Sequence, residues 1–162
     1  RSSDLSGRHY LFHSWDSGHL NLYLSPLASP TPTRITPHNL DIGFANWSPN
    51  GARIAAELFE NDHTHLTVHD PSGGPFRRLT NTPGQSWPHS WAPDNDRIAF
   101  AGLRNGLWGL YAISASTGLQ YTLLEPTLAR GFVRYPSWSP RGDSLVYERA
   151  EARGNLFILD LP

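Results

Sequence analysis

Residues 45–56 read ANWSPNGARIAA, and recognisable copies of this segment recur along the chain. One copy is WAPDNDRIAF at 91–100, another is WSPRGDSLVY at 138–147, and a shortened copy without the Trp and the Pro, SDLSGRHYLF, lies at 3–12. The three Trp lie 44 and 47 residues apart, a period typical of propeller blades and of helical-pair repeats. The chain is therefore an array, with repeats at approximately 3–46, 47–90, 91–137 and 138–162.

The residues after each Trp decide which kind of repeat this is. Pro restricts φ and Gly accepts a positive φ, so that Ser-Pro-Asn-Gly and Ser-Pro-Arg-Gly reverse the chain between two short extended segments. A helical repeat would need amphipathic runs of about ten residues, which these turns interrupt. The repeats are therefore expected to consist of strands.

Each repeat shows the same succession of a Trp-bearing strand, two alternating strands and an edge strand, which is a four-stranded blade. The predicted Trp-bearing strands are 44–47, 87–91 and 133–138, and the predicted edge strands are 34–36, 77–80 and 120–124. The predicted alternating strands are 8–14, 20–25, 53–57, 65–70, 97–101, 107–113, 144–148 and 155–160. The first repeat then lacks its Trp-bearing strand, the last lacks its edge strand, and the three extra residues of the third fall in a loop after Leu124. We predict an all-β chain: a β-propeller of four-stranded antiparallel blades, with four sequence repeats forming one propeller or half-propeller domain over 1–162.

Composition excludes several classes of function. The 162 residues are enough to bury roughly 70% of the unfolded surface, so the chain can form its own core. A net charge of −1 without long charged runs argues against nucleic-acid binding. The chain has no Cys, hence no disulfide or thiolate site, and no apolar stretch of about 20 residues, so we expect neither a signal peptide nor membrane insertion in this segment.

These motifs resemble the repeat of TolB-type β-propellers. The resemblance rests on the Trp47-Ser48-Pro49-Asn50-Gly51 turn, the Ile-Ala pair after Arg53, the strand end at Asp70, the Gly73-Gly74 turn and Leu79-Thr80. It covers essentially the whole chain, although Ala45 and His89 stand where the family and Pro136 have a Pro. It implies a largely non-catalytic binding scaffold in the periplasm or outside the cell, with a protein or peptide partner on the loop face.

Three sets of residues invite a chemical interpretation. The Trp47, Trp91 and Trp138 series could stack on a ligand, but rings at one fixed blade position are more typical of the core between blades. His63, His65 and His69 are of the type that binds zinc, copper or nickel, although their spacing on a strand favours a solvated face. The strand-end acids Asp70 and Asp160 could bind calcium, but we expect them to accept hydrogen bonds from the following turn.

Enzymatic activity within this chain is not expected. The sequence contains no Gly-x-Ser-x-Gly elbow, no phosphate-binding glycine loop and no spacing that marks a triad. We therefore predict a non-enzymatic protein with no cofactor and no metal. Two alternatives remain open: the gating propeller of a prolyl-oligopeptidase-type serine peptidase whose hydrolase domain lies elsewhere, and a metal-dependent enzyme that uses the His cluster.

Partner binding is expected on the loops that gather around the central opening, namely those from an edge strand to the next inner strand and those between the two middle strands. These loops are rich in aromatic and Arg side chains, which are enriched at binding hot spots. An ordinary polar rim is the alternative interpretation of any one of them. The predicted partner-binding residues are Trp15, His38, Asp41, Glu60, Gln85, Trp87, Arg104, Arg130, Arg134 and Tyr135.

The strand count also leads to a prediction about assembly. Rings typically hold about four to eight blades, and an open half-ring would expose the apolar flanks of its first and last blades. Four blades could close alone, or two chains could meet around a two-fold axis. We favour a homodimer that completes an eight-bladed ring, in which residues 156–161 of one chain pack against the strand around Tyr10 to Phe12 of the other.

Overall fold

The structure is a computed structural model that describes residues 2–3, 7–37, 39–128 and 131–151. In these residues it consists of strands joined by turns and contains no helix. It follows that this described part has no helix able to cross a membrane. The predicted all-β class with antiparallel sheets is confirmed.

The strands form four sheets, numbered here in chain order, and every pairing is antiparallel. The first sheet contains β1 (Ser2–Ser3), β2 (His9–Ser14), β3 (Asn21–Pro26) and β4 (Thr33–Arg34). The second contains β5 (Asp41–Trp47), β6 (Ile54–Glu60), β7 (His63–His69) and β8 (Arg77–Arg78). The third contains β9 (Gln85–Trp91), β10 (Arg97–Arg104), β11 (Leu107–Ser114) and β12 (Gln120–Leu128), and the described part of the fourth contains β13 (Gly131–Trp138) and β14 (Leu145–Glu151).

The three Trp-bearing strands, β5, β9 and β13, end in the same turn, as the repeated motif predicts. In each turn a backbone N–H near its start donates to a carbonyl five residues later: Ser48 to Arg53 at 2.8 Å, Ala92 to Arg97 at 2.7 Å and Ser139 to Ser144 at 2.9 Å. Each turn also contains one residue with positive φ: Gly51 at 71°, Asn95 at 63° and Gly142 at 70°. A residue without a Cβ, or an Asn, is what this backbone conformation favours.

Successive turns contact each other directly. The Asn50 N–H donates to Asn95 Oδ1 at 2.7 Å, and the Arg97 guanidinium donates to the Gly142 carbonyl at 3.3 Å. The Arg97 guanidinium also lies over the Trp138 ring, 4.8 Å from its centroid. The motif that defines the repeat therefore joins the second sheet to the third and the third sheet to the fourth.

Apolar side chains fill the spaces between successive sheets. The first cluster, between the first and second sheets, contains Leu11, Leu22, Ile35, Ile42, Ile54, Ala56 and Leu58, with Trp47 packed against it. The second, between the second and third sheets, contains Ala55, Leu66, Leu79, Trp91, Ile98, Phe100, Tyr111, Ile113 and Ala115. The predicted core role is thus confirmed for Trp91, which is 8% exposed.

Two details of the predicted strand plan are corrected by the structure. The first sheet does have an innermost strand, because Ser2 and Ser3 pair with Leu11 and Tyr10; backbone pairing needs no Trp there. The insertion in the third repeat does not form a loop directly after Leu124, because β12 continues to Leu128. Its register against β11 shifts twice, so the extra residues form bulges in the outer strand. The predicted strand 155–160 lies outside the described residues.

The predicted solvated face of the second sheet is wrong. His65 and His69 are 2% and 3% exposed, and the His69 ring stacks on Phe76 with centroids 5.1 Å apart. The second sheet packs against a sheet on each of its faces, so alternation along a single strand does not produce a solvated side. Burial lowers the pKa of His69 from 6.5 to about 4, which keeps its ring neutral near pH 7.

The strand-end aspartate of the second sheet behaves as predicted. Asp70 Oδ1 accepts hydrogen bonds from the Ser72 N–H at 2.8 Å and from the Ser72 hydroxyl at 2.6 Å. These bonds lower the pKa of the Asp70 carboxyl. Asp160, its predicted counterpart, lies outside the described residues.

Candidate functional site

A cleft of about 850 Å³ opens where the four sheets approach one another. Strands β2, β5, β9 and β13 each contribute side chains, and the β6–β7 hairpin closes one end. Five of the lining side chains carry a six-membered aromatic ring, three are His and two are acidic. The lining residues are Leu11, Phe12, His13, Leu22, Phe44, Ala45, Asn46, Glu57, Phe59, Asn61, Asp62, His63, Thr64, Gln85, Trp87, His89 and Tyr135.

Backbone bulges hold two of the aromatic side chains in the cleft. Phe44 in β5 and Tyr135 in β13 each lie three residues before the Trp of their strand, and both have a φ of 52°. The register against the neighbouring strand shifts at both positions. A positive φ is unfavourable for bulky residues, yet both side chains remain more than half exposed, at 54% and 56%. Such strained and exposed residues cluster at functional sites.

The aromatic wall continues from Phe44 in two directions. The Phe44 ring lies 5.1 Å from the His13 ring and 5.8 Å from the Phe59 ring, measured between centroids. On the opposite side, Trp87 meets Trp108 edge to face at 5.7 Å. These contacts fix the orientation of the rings while leaving part of each ring surface available to a ligand.

Glu57 and His89 form a buried pair in the wall of the cleft. Glu57 Oε1 lies 3.3 Å from His89 Nδ1, and His89 Nε2 lies 3.3 Å from the Ala55 carbonyl oxygen. Because a carbonyl only accepts hydrogen bonds, Nε2 carries a proton, and a second proton lies between Glu57 and Nδ1. Burial raises the pKa of Glu57, and the hydrogen bond with His89 opposes that rise. The pair has no net charge wherever the shared proton lies, which lowers the cost of burying both groups.

The end of the cleft is fixed by hydrogen bonds between the β6–β7 hairpin and β9. Thr64 Oγ1 accepts from the Ser86 N–H at 2.8 Å and donates to Gln85 Oε1 at 2.9 Å. Gln85 Nε2 in turn donates to the Asp62 carbonyl at 2.8 Å. The Gly84 N–H donates to His63 Nδ1 at 3.0 Å, which leaves the other ring nitrogen to carry the proton of the neutral form. This end of the cleft is therefore preorganised.

The structure brings three of the predicted partner-binding residues together in the cleft: Gln85, Trp87 and Tyr135. Trp15 lies in the β2–β3 turn and is 62% exposed, outside the lining. His38 and Arg130 lie outside the described residues. The remaining predicted residues are Asp41, Glu60, Arg104 and Arg134, which are not part of the lining.

These four residues each have partners within the protein. Asp41 Oδ1 accepts from the Leu20 N–H at 2.8 Å and contacts His19 Nδ1 at 3.2 Å. Glu60 pairs with Arg78 at 2.9 Å, and Arg134 pairs with Glu148 at 3.0 Å. Arg104 donates to the carbonyls of Gln85 and Leu103 and to the Ser86 hydroxyl.

Sequence reasoning missed Glu57, His89, Phe44, Phe59 and His13. A signal for His89 was present, because positions 45 and 89 are where the chain departs from the Pro of the repeat, and both residues line the cleft. The others lie on strands whose contacts with distant strands are not visible in a local pattern. No group of three or more His, Cys, Asp or Glu within the described residues is arranged to hold a metal ion.

Comparison with known proteins agrees with this architecture. The family model for the TolB beta propeller domain matches residues 2–161. An uncharacterized protein of Agrobacterium fabrum is 27% identical over 143 residues, which is 83% of this chain and 45% of that protein. The chain thus spans less than half the length of this curated relative.

Solved structures share the fold at low sequence identity. A TolB-designated protein of Agrobacterium tumefaciens has a TM-score of 0.74 at 16% identity, covering 94% of this chain and 58% of that one. TolB of Acinetobacter baumannii has a TM-score of 0.70 at 22% identity, with coverages of 89% and 35%. A prolyl endopeptidase structure has a TM-score of 0.70 at 11% identity, with coverages of 93% and 24%.

The antiparallel sheets, the recurring Trp turn and a family match over nearly the whole sequence agree with one another. The chain belongs to the TolB β-propeller domain family.

Proposed function

We propose that this chain is a non-catalytic propeller scaffold that binds a protein or peptide partner in the cleft and on the surrounding loops. The observation that carries the proposal is the pair of bulges that hold Phe44 and Tyr135 exposed in a cleft with an otherwise ordered wall. Exposed aromatic residues in a preformed concave site are the usual anchors of a binding surface.

The size and chemistry of the cleft suit an extended peptide segment. Its volume of about 850 Å³ lies in the range of pockets that enclose a small ligand or a few side chains. Its lining combines aromatic rings with amide, hydroxyl and imidazole groups, which can satisfy the polar backbone of a bound peptide.

The proposal includes a ring in which the four sheets are successive blades. Contacts between the inner strands of neighbouring sheets, β1 with β5, β5 with β9 and β9 with β13, support it, as does the family match. In such a ring the cleft lies at the central opening.

The resemblance to TolB-type propellers supports a location in the periplasm or outside the cell. Fractionation of cells that produce the whole protein from its natural reading frame would test this. Recovery in the cytoplasmic fraction alone would contradict it.

The homodimer remains our proposal for closure of the ring. It is supported by the aromatic row Tyr10, Phe12 and Tyr23, whose rings stack at 5.5 and 5.6 Å on the face of the first sheet opposite to the buried Leu11. Light scattering after size exclusion is expected to give the mass of two chains. A concentration-independent mass of one chain would contradict the dimer.

A second candidate is the gating propeller of a prolyl-oligopeptidase-type serine peptidase. The likeness to a prolyl endopeptidase over 93% of this chain favours it as the alternative. The full reading frame separates the two, because a downstream Gly-x-Ser-x-Gly segment is expected only for the peptidase.

Selection from a random heptapeptide library on the immobilised 162-residue chain tests the binding proposal. We expect enriched peptides whose binding is abolished by Phe44→Asp. Leu119→Asp is the matched control, because Leu119 is 65% exposed and lies outside the cleft. If no peptide is enriched, or if both variants bind every peptide equally well, the proposal is wrong.

A further inference from the structure

The cleft is lined by carboxyl groups but by no arginine or lysine. The lining contains the carboxyl groups of Glu57 and Asp62 and no Arg, and the chain has no Lys. The only cation the lining could supply is a protonated His, and burial lowers the pKa of His13. Because the buried Glu57–His89 pair has no net charge, the negative charge of the lining is that of the Asp62 carboxylate.

The arginines near the cleft already have partners. Arg78 pairs with Glu60, and Arg134 pairs with Glu148, while Arg104 donates to backbone carbonyls and to a hydroxyl. Within the part of the chain that the structure describes, no Arg lies within ion-pair distance of the Asp62 carboxylate. Asp62 is exposed in the β6–β7 turn, so a ligand can reach it.

The second carboxyl group, that of Glu57, is buried, unlike that of Asp62. Glu57 is 4% exposed, and its hydrogen bond with His89 uses only one of its two oxygens, Oε1. A cation that approaches along the cleft would favour the ionised form of Glu57. The buried pair can therefore adjust to a positive ligand without a net change in its proton count.

Aromatic rings complete a site for a cation. Phe44 and Phe59 lie 5.8 Å apart at an angle of 59°, so their faces are inclined to each other beside the hairpin that carries Asp62. Ring faces attract guanidinium and ammonium groups. The fourth sheet uses the same interaction, since the Arg134 guanidinium lies 4.0 Å from the Phe132 centroid.

We propose that the end of the cleft formed by Phe44, Phe59, Asp62 and Glu57 binds the cationic side chain, an Arg or a Lys, of a peptide segment. This inference rests on the proposed function, because it names the side chain that the peptide-binding cleft selects. The Asp62 carboxylate disfavours an anionic ligand such as an acidic sugar or an acidic peptide by charge repulsion.

Isothermal titration of the 162-residue chain with blocked tripeptides tests the proposal. The probes are acetyl-Gly-Arg-Gly-amide, its Lys analogue, its neutral isostere with citrulline, and its Glu analogue. We expect the Arg peptide to bind about tenfold more tightly than the citrulline peptide, and the Glu peptide to bind most weakly. The Lys peptide distinguishes a guanidinium site from a site for either cation.

Two variants test whether the preference for the Arg peptide depends on the charge of Asp62. Asp62→Asn preserves the shape of the turn. It is expected to lower the affinity for the Arg peptide about threefold without changing the affinity for the citrulline peptide. Asp16→Asn makes the same charge change in the exposed β2–β3 turn, outside the lining, and is expected to leave both affinities unchanged.

The outcomes separate this inference from the proposed function. If library peptides bind in the cleft but the Arg and citrulline peptides bind equally, the cation site is wrong and the binding function stands. If the Glu peptide binds best, the cleft selects anions and the inference is overturned. If the library yields no peptide and the tripeptides do not bind, both proposals are wrong.

Discussion

Asn21 in β3 and His65 in β7 occupy equivalent positions in successive sheets, but Asn21 makes more hydrogen bonds there than His65 does. Asn21 Nδ2 donates to three carbonyls at 2.9 to 3.1 Å, and its Oδ1 accepts from the Ser17 hydroxyl at 2.8 Å. The equivalence of the two positions follows from the next residue, a leucine whose N–H donates to a threonine hydroxyl: Leu22 to Thr36 at 3.0 Å and Leu66 to Thr80 at 2.9 Å.

His65 makes fewer bonds at its position. Its buried Nδ1 has no hydrogen-bond partner, and its Nε2 lies 3.9 Å from Glu60 Oε2, beyond hydrogen-bond length. The fully hydrogen-bonded amide of Asn21 thus stabilises the junction between the first and second sheets. The junction between the second and third sheets retains an unsatisfied polar atom close to the end of the cleft. The comparison teaches that the same repeat position holds a fully bonded amide at one junction and a ring nitrogen without a partner at the next, where hydrogen bonds from the β6–β7 hairpin to β9 fix the end of the cleft instead.

The largest effect is expected from Asn21→Leu, which would break the well-bonded junction. It leaves the carbonyls of Pro37 and Leu40 without their Asn21 donor, while the Leu20 carbonyl keeps the Ile42 N–H, at a cost of about 3 kcal/mol in the free energy of unfolding. Urea unfolding followed by Trp fluorescence measures the change. Asn39→Ala, at an exposed residue of the same junction, is the control and should cost less than about 0.5 kcal/mol. A loss below about 1 kcal/mol for Asn21→Leu would contradict the assigned role.

The histidines of the second sheet should make the fold sensitive to acid. Burial lowers the pKa of His69 in the folded protein from its ordinary value of 6.5 to about 4, so the unfolded chain binds the proton first. The stability that depends on the neutral ring is complete above pH 6.5 and is lost as the pH falls towards 4, by up to about 3 kcal/mol. The difference between the unfolding free energies of the parent and His69→Gln, measured from pH 7 to pH 4, should shrink by that amount. A constant difference would contradict it.

Glu57 provides a test of the buried pair. Glu57→Leu leaves His89 Nδ1 without a partner and is expected to cost about 2 kcal/mol. Glu57→Gln keeps a donor for Nδ1 and should cost less than about 1 kcal/mol. Chemical unfolding of both variants at pH 7 measures the two losses in the free energy of unfolding. Equal losses would show that the pair contributes packing and not hydrogen bonding.

The smallest effect is expected from His65→Asn, which gives the second junction the residue type that Asn21 provides in the first. His65→Asn places an amide where a ring nitrogen lacks a partner, and the carbonyls of Asn81 and Gly84 correspond in the repeat to those of Pro37 and Leu40. We expect a gain of about 1 kcal/mol in unfolding free energy, with the smaller side chain partly offsetting the new bonds. A net loss would mean that the His ring is needed for packing.

Much of the fold was predictable from residues 45–56 and their copies, because turn chemistry is local. Pro49 and Gly51 dictate a reversal that does not depend on the neighbouring sheets. By contrast, β1 was missed because Ser2 and Ser3 have no pattern of their own, and they become a strand only through pairing with Tyr10 and Leu11.

The candidate site was less predictable, for a physical reason. Glu57 and His89 are 32 residues apart, and their contact depends on how two sheets pack. The burial of His65 likewise depends on a neighbouring sheet that alternation along β7 does not reveal. Gln85, Trp87 and Tyr135 were identified because the repeat itself indicates which segments face the central opening, although the structure places them in β9 and β13 and not in loops.

The bonds between successive turns have a consequence for how such a chain grows. In both contacts the acceptor is the positive-φ residue of the following turn, through the Asn95 side chain or the Gly142 carbonyl. Each copy of the motif therefore contains the hydrogen-bond acceptor to which the preceding copy donates. Because repeats of this kind interact mainly with their nearest neighbours, an internal duplication of one whole unit supplies both halves of each new joint. The length of the array can then change by gene duplication without new residues evolving where the units meet.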